Sequence, residues 1–289
     1  MNEFDPVQSW LSRLAPTSRA SARSSLTKSA RILFPDGNCR WESLGAVEIS
    51  GLIQSLAEEN KKATVAKDVS FVKEVLRECW RLGLKTRDDM ERAVSIRWSR
   101  PSSPPVGRHL SREDRQRLLS ACGDGDRGLR DRAIVRLMLL GLRRAEVAMV
   151  QVQDVCFSEG TVRVEGKGKR RREVPMGDRT AADLKTYIAC RGQGGGRLIL
   201  PHRDGAFSTC GGGISVRALN KIIARLSSSS GVKLTPHDMR RSAIGDWLGT
   251  VDVGIAMRMA GHSNPQTTVR YDHRNVNLLG RAAAAASEI

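Results

Sequence analysis

The stretch SRPSSPPVGRH, Ser99 to His109, holds three prolines and three serines and interrupts helical patterns on both sides. Proline removes an amide donor and turns the preceding residue away from the helical region, so no helix runs through such a stretch and an extended linker is expected. A chain of 289 residues is long enough for two domains with cores of their own. The expected division is a domain over 1–100, a linker over 101–108 and a second domain over 109–289.

Before the linker, apolar residues recur at three- and four-residue spacing over Trp41 to Leu56 and Thr64 to Leu84, with Val65, Val69, Val72, Val75, Leu76 and Trp80 expected to face one way. This predicts a small helical domain. After the linker, Ser111 with Asp114 three residues on is a helix start, and DRAIVRLMLLGLRRAEVAMV reads as two buried helices turned at Gly141, with Arg143 just past the turn. Val162 and Val164, then Glu173-Val174-Pro175, predict a β-hairpin with a basic tip. The glycine runs Gly194 to Gly196 and Gly211 to Gly213 read as connections. LTPHDMRRSAIGDWL starts a helix at Thr235 and Pro236, GIAMRMAG is a short helix ended by Gly261, and QTTVRYDHR, after the break at Asn264-Pro265, returns to helix with Tyr271 in it. The fold class is therefore mainly α with a small antiparallel sheet.

Charge narrows the partners. A net charge of +17 and a pI near 10.4 favour a polyanion, with nucleic acid ahead of an anionic membrane. The residues up to Arg108 carry 18 basic against 13 acidic groups and the remainder 30 against 18, so most of the excess lies in the second part. No apolar run of about 18 residues could span a bilayer, and Met-Asn-Glu-Phe-Asp-Pro lacks the order of a signal peptide, so a cytoplasmic protein is expected. Six scattered cysteines without a Cys-x-x-Cys and five histidines without an i, i+4 pair predict reduced thiols, no metal site and no cofactor.

Five short motifs then occur in order: Gly-Leu-Arg at Arg143 with Glu146 following, GKGKRRREVP from Gly166, His237-x-x-Arg240, Gly261-His262, and Tyr271 in RYDHR. Singly each is weak. Together, over about 130 residues, they resemble the tyrosine site-specific recombinases, the phage-integrase family. The resemblance covers the second part from His109 onward, and ATVAKDVSFVKEVLRECWRLGLK is similar to the last long helix of the family's core-binding domain. It implies an N-terminal helical core-binding (SAM-like) domain and a C-terminal, mostly helical catalytic domain, closing as a C-shaped clamp on DNA. An added domain for binding distant arm sites is not expected. Arg241 stands where the family often has His, Asp238 is an unusual acid inside its motif, and Asp272 replaces a common Thr.

The residue types suit the chemistry. Two arginines, Arg143 and Arg240, each offer a fork of donors matched to phosphate oxygens. A tyrosine hydroxyl is protonated at neutral pH, so Tyr271 as nucleophile needs a base, and His237 is the candidate. By resemblance Lys167 protonates the leaving 5′-oxygen, with Lys169 its local competitor, His262 donates to a non-bridging oxygen, and Glu146 buttresses the Arg143 turn. A 3′-phosphotyrosine conserves the bond energy, so rejoining needs neither nucleotide nor metal. The implied partners are a double-stranded DNA recombination site and further copies of the chain, as a homo-tetramer on paired sites with room for accessory proteins. The tail VNLLGRAAAAASEI is expected either to pack on a neighbouring copy or to fray. DNA contacts are expected at Lys67, Lys73, Lys169 and Arg170, the first two being equally readable as solvated charges. Two alternatives keep the scaffold: a type IB topoisomerase-like nicking and resealing enzyme, and a non-catalytic DNA-binding regulator.

Overall fold

The structure, a computed structural model, describes residues 5–98, 107–166, 170–192, 194–203, 205–208 and 212–271. Lys167, Lys169, most of the expected linker and the tail after Tyr271 lie outside the described residues. The chain divides into two compact units, Met1–Pro104 and Pro105–Ile289.

In the first unit, α1 (Pro6–Ser12), α2 (Pro16–Leu33), α3 (Ala46–Glu59), α4 (Lys62–Arg81) and α5 (Arg87–Ser95) surround one core. The helix expected over Trp41 to Leu56 starts later, at Ala46, because Glu48 reaches back to the Gly45 amide (2.8 Å) and fixes the first turn there, leaving Trp41–Ser43 as a separate 3₁₀ turn. α4 is the central helix: Val65, Val69, Val72, Val75, Leu76 and Cys79 are buried along it. Trp80 does not join them. It lies one residue from the end of α4, where Cys79 takes the inward position, and it is 40% exposed. Two acids are buried instead, each with a partner: Asp68 accepts from the Ser25 hydroxyl (2.7 Å), and Glu78 accepts from Ser9 (2.7 Å), Arg13 and Arg81 (3.0 Å).

The second unit holds α6 (Arg112–Ser120), α7 (Gly125–Leu139), α8 (Arg144–Met149), α9 (Asp178–Arg191), α10 (Val216–Ser230), α11 (Pro236–Leu248), α12 (Val253–Ala260) and α13 (Pro265–Val269). Its strands β1 (Val155–Cys156), β2 (Thr161–Glu165) and β3 (Arg171–Pro175) form an antiparallel sheet in that order, and β4 (His202–Arg203) pairs with β5 (Ala206–Phe207). Ser111 and Asp114 cap α6 reciprocally, as their spacing predicts. The register of the hairpin sets Val162 opposite Val174 and Val164 opposite Arg172, so the alternation that buries Val174 also turns Arg172 inward. The acid inside the His237 motif has a structural cause: Asp238 accepts from the Thr235 amide (2.7 Å) and hydroxyl (2.8 Å), closing the N-terminus of α11.

Between α7 and α8 the chain turns at Gly141, with φ at +80°. A Cβ there would stand 2.5 Å from the Trp247 ring of α11. The turn both requires the left-handed region and admits α11 at close range, which places Arg143 as the N-cap of α8 beside α11. Gly141→Ala is expected to destabilise the second unit by roughly 2–4 kcal/mol, through strain added to overpacking. Urea denaturation of the two proteins measures this, and a loss under about 0.5 kcal/mol would contradict the close-packed turn.

Candidate active site

The cluster is built around the C-terminal end of α12. Gly261, at φ +62°, closes the helix, with its amide donating to the Arg258 carbonyl (3.1 Å) and the His262 amide to the Met257 carbonyl (3.1 Å). The next three carbonyls in sequence each accept from a different guanidinium. Met259 accepts from Arg172 Nε (2.8 Å), Ala260 from Arg240 Nη2 (2.5 Å) and Gly261 from Arg143 Nη2 (3.0 Å). These carbonyls have no partner within the helix, and they form the negative end of its dipole, so cations are favoured there.

One buried carboxylate organises two of those arginines. Glu146 accepts from the Arg143 amide (2.7 Å) and Arg143 Nη1 (2.7 Å), and from Arg172 Nη1 (2.9 Å) and Nη2 (2.8 Å). Burial alone would raise its pKa, but the hydrogen bonds and charge of Arg172, with those of Arg143, hold it below the ordinary carboxylate range. Arg240 is 2% exposed and also donates to the Gly141 carbonyl. Burial, then the neighbouring Arg143, pushes its pKa down to about 10, which leaves it cationic at neutral pH.

His262 lies between Arg240 and α13. Arg240 Nη2 faces its Nε2 at 3.0 Å and Thr268 Oγ1 faces its Nδ1 at 2.9 Å. A guanidinium only donates, so Nε2 accepts and the ring proton sits on Nδ1, directed at the threonine. Burial first, then Arg240 and Arg143, pushes the His262 pKa down to about 4.

Tyr271 is 7% exposed, and its hydroxyl lies 3.1 Å from His237 Nε2. It stands just past α13, which ends at Val269, rather than inside a helix: the Asn264 cap starts only a five-residue helix, and the Tyr271 amide donates to the Thr268 carbonyl (2.9 Å) in the closing turn. The Arg241 guanidinium lies over the Tyr271 ring, 5.4 Å from its centre. His237 has a lowered pKa from burial first and then from Arg241 and Arg240, so it is neutral at physiological pH, and a bare Nε2 can accept the tyrosine hydroxyl's hydrogen bond.

Of the expected site residues, Arg143, His237, Arg240, His262 and Tyr271 therefore converge. Lys167 lies outside the described residues, as does Lys169, but a Cβ on the adjoining Gly166 would stand 3.5 Å from Glu146 Oε1, so the hairpin leads to this cluster. Arg170 is exposed at the start of the returning strand. Lys67 and Lys73 belong to the other unit: Lys67 lies 3.5 Å from Asp68, and Lys73 is half-buried and donates to the Ile96 carbonyl. Among the described residues no group of three His, Cys, Asp or Glu side chains could hold a metal, and no helix is long and apolar enough to cross a membrane.

Residues 108–277 match the sequence model of the phage integrase family. The chain belongs to the phage integrase family. Similar curated proteins include the tyrosine recombinase XerC of Yersinia pestis, 27% identical over 95% of this chain and 89% of that one. The XerC of Corynebacterium efficiens is 30% identical over 76% and 70%. Among solved structures, the fold is similar to a lambda integrase tetramer bound to a Holliday junction (TM-score 0.70, 17% identity, 92% and 76% covered) and to the Tn1549 transposon integrase in complex with transposon right-end DNA (0.69, 15%, 97% and 100%).

Two residues of this integrase-family site were not singled out from its sequence, Arg172 and Thr268. Arg172 carried a signal: it alternates with Val174 on β3, so a hairpin reading implies a charge at an inward position that needs a buried acid. Thr268 carried none, since a buried threonine looks the same in sequence whether or not it meets a histidine. The two histidines predict an acid limit for the fold. Their folded-state pKa values lie below that of an unfolded histidine, about 6.5, so the unfolded chain binds more protons between the two values. The stabilisation is complete above about pH 6.5 and is lost as the pH falls toward the folded values, about 4 for His262. The melting temperature is expected to fall between pH 7 and pH 4.5 and His262→Asn to flatten that slope; an unchanged slope would remove His262 as a source.

Proposed function

We propose that this chain is an active site-specific DNA recombinase whose nucleophile is Tyr271, acting in the cytoplasm on double-stranded DNA. The observation that carries the assignment is the 3.1 Å contact between the Tyr271 hydroxyl and His237 Nε2. That pair stands beside Arg240 and Arg241, in the cluster where Glu146 meets Arg143 and Arg172. Residues 109–289 are the catalytic domain in this reading, and residues 1–100 form the core-binding domain.

Tyr271 Oη attacks the phosphorus as its proton passes to His237 Nε2. The bond from phosphorus to the 5′-oxygen breaks, leaving a 3′-phosphotyrosine and a 5′-hydroxyl. Arg143 and Arg240, both gathered at the end of α12, hold the charge that grows on the non-bridging oxygens. Lys167 supplies the proton to the leaving oxygen, with Lys169 as competitor. Attack by the 5′-hydroxyl of a second strand reverses the chemistry and joins the new partner.

His262 must change state to donate to the phosphate. When the phosphate draws Arg240 Nη2 away, Nε2 is released, and a proton there balanced by loss from Nδ1 turns the ring into a donor. The Thr268 hydroxyl accommodates either tautomer because it accepts from Nδ1–H and donates to bare Nδ1. Exchange between two duplexes requires four such sites, and the lambda integrase tetramer on a Holliday junction supports that assembly here. Lys67, Lys169 and Arg170 are proposed as phosphate contacts; Lys73 would have to leave the Ile96 carbonyl to act as one.

The test is covalent trapping on a nicked suicide duplex carrying the recombination site, recovered first by binding selection from random duplexes. Wild type is expected to form a protein–DNA adduct and Tyr271→Phe none; an adduct from the Phe variant would reassign the nucleophile. Tyr187→Phe serves as the control. Its hydroxyl accepts from the Leu200 amide (3.0 Å) in the core, so that variant should lose about 1–3 kcal/mol of stability and keep the adduct. Arg143→Lys should retain DNA affinity within a few-fold and lose cleavage by roughly 10²-fold, since an ammonium cannot reproduce the fork; equal cleavage rates would overturn its role.

A further inference from the structure

The first described residues of the second unit, Gly107 to Leu110, lie along α11, the helix that carries His237 and Arg240. The Arg108 amide donates to Asp238 Oδ1 (3.3 Å), the Leu110 amide to Ser242 Oγ (2.8 Å), and His109 Nε2 lies 2.8 Å from Asp246 Oδ1. Asp238, Ser242 and Asp246 are spaced by four, so they form one stripe on the helix. Beside that stripe Arg241, 6% exposed, holds its guanidinium between two neighbours. On one side is the Tyr271 ring, whose centre is 5.4 Å away. On the other is Gly107, where a Cβ would overlap the guanidinium and stand 2.8 Å from Asp238 Oδ1.

We propose that Arg241 is a positioning residue for Tyr271 and that the Gly107 backbone holds Arg241 in place, so that the docking of the linker's end on α11 is transmitted to the nucleophile. The inference rests on Tyr271 being the nucleophile. A planar guanidinium over an aromatic face is attracted to it and restricts the ring's tilt. The His237 contact fixes the hydroxyl end of Tyr271, and the Arg241 contact fixes the face, so together they aim the oxygen. Attack tolerates little misplacement, and a shift near 1 Å costs heavily in rate. Arg241 touches neither phosphate nor leaving group in this scheme. It acts through the ring. The absence of a side chain at position 107 is what leaves room for the guanidinium, so the smallest enlargement there displaces Arg241 without changing any charge on the protein.

Single-turnover cleavage of the suicide duplex at saturating protein reads the aim, and the half-saturating concentration reads binding. Arg241→Met is expected to slow cleavage by roughly tenfold while leaving half-saturation within about twofold, and Arg241→Lys to recover part of the rate by restoring a cation over the ring. Gly107→Ala, which retains every charge, should slow cleavage in the wild-type background and have no further effect when combined with Arg241→Met. That non-additivity is the signature of a shared path, because independent losses of stability would add. Wild-type cleavage by Arg241→Met, or an equal slowing by Gly107→Ala in both backgrounds, would overturn the proposal. Tyr271→Phe in the same assay separates the two readings: an adduct from it removes the nucleophile itself, whereas its absence with an unaffected Arg241→Met removes only the relay.

Discussion

The site depends on how α12 ends. Its last carbonyls, left without helical donors, accept from Arg172, Arg240 and Arg143 in successive residues, and those arginines come from β3, α11 and the N-cap of α8. Three parts of the second unit that are distant in sequence are thereby tied to one helix terminus. A helix whose C-terminus ended in solvent would leave its carbonyls to water, and the arginines would have no common reference. The left-handed Gly261 matters for the same reason: it turns the chain back so that the His262 side chain, immediately after the terminus, comes beside Arg240.

Gathering like charges is costly unless something opposes them, and the opposition here is deliberately incomplete in number. Glu146 is the buried acid that meets two of the guanidiniums, and it does so through both oxygens to Arg172 while also capping α8. Arg240 donates to the carbonyls of Gly141 and Ala260, and burial, then the neighbouring Arg143, depresses its pKa to about 10. Burial first, and then the remaining positive field, lowers both histidines as well, which keeps His237 neutral. In the proposed reaction a phosphodiester entering this cluster would supply the missing negative charge, so binding and the readiness for charge build-up would share one electrostatic origin.

The sequence made the second unit legible because several of its demands are local. A cap pair at Ser111 and Asp114, a hairpin from alternating valines, and a turn at Gly141 each show in a few adjacent residues, and the structure has all three. The ordered motifs named Arg143, His237, Arg240, His262 and Tyr271, and the fold brings them together. Periodicity was less reliable at helix ends: Trp80 belonged to the pattern of α4 yet lies exposed, because the arc of a helix face says nothing of where the neighbouring helices stop. Arg172 and Thr268 were not singled out since their importance comes from partners 26 and 6 residues away that only the folded chain brings into contact.

Tyr271 shows what kind of information motifs omit. Its place in the order of residues identifies it, but its orientation does not come from the backbone that carries it, since α13 spans five residues and ends before it. The ring is held instead by α11, through the His237 nitrogen at its hydroxyl and the Arg241 guanidinium over its face. Of the proposed phosphate ligands, Arg240 is buried at a helix terminus and Arg143 is held by that terminus and by the buried Glu146. Tyr271, the proposed nucleophile, is set by side-chain contacts and by its burial against Ile244, Leu248, Ala256 and Ala260. In the proposed reaction, which brings one oxygen to a phosphorus and later releases it, the anion's seat is thus set by a helix terminus and the attacking group by its contacts with α11.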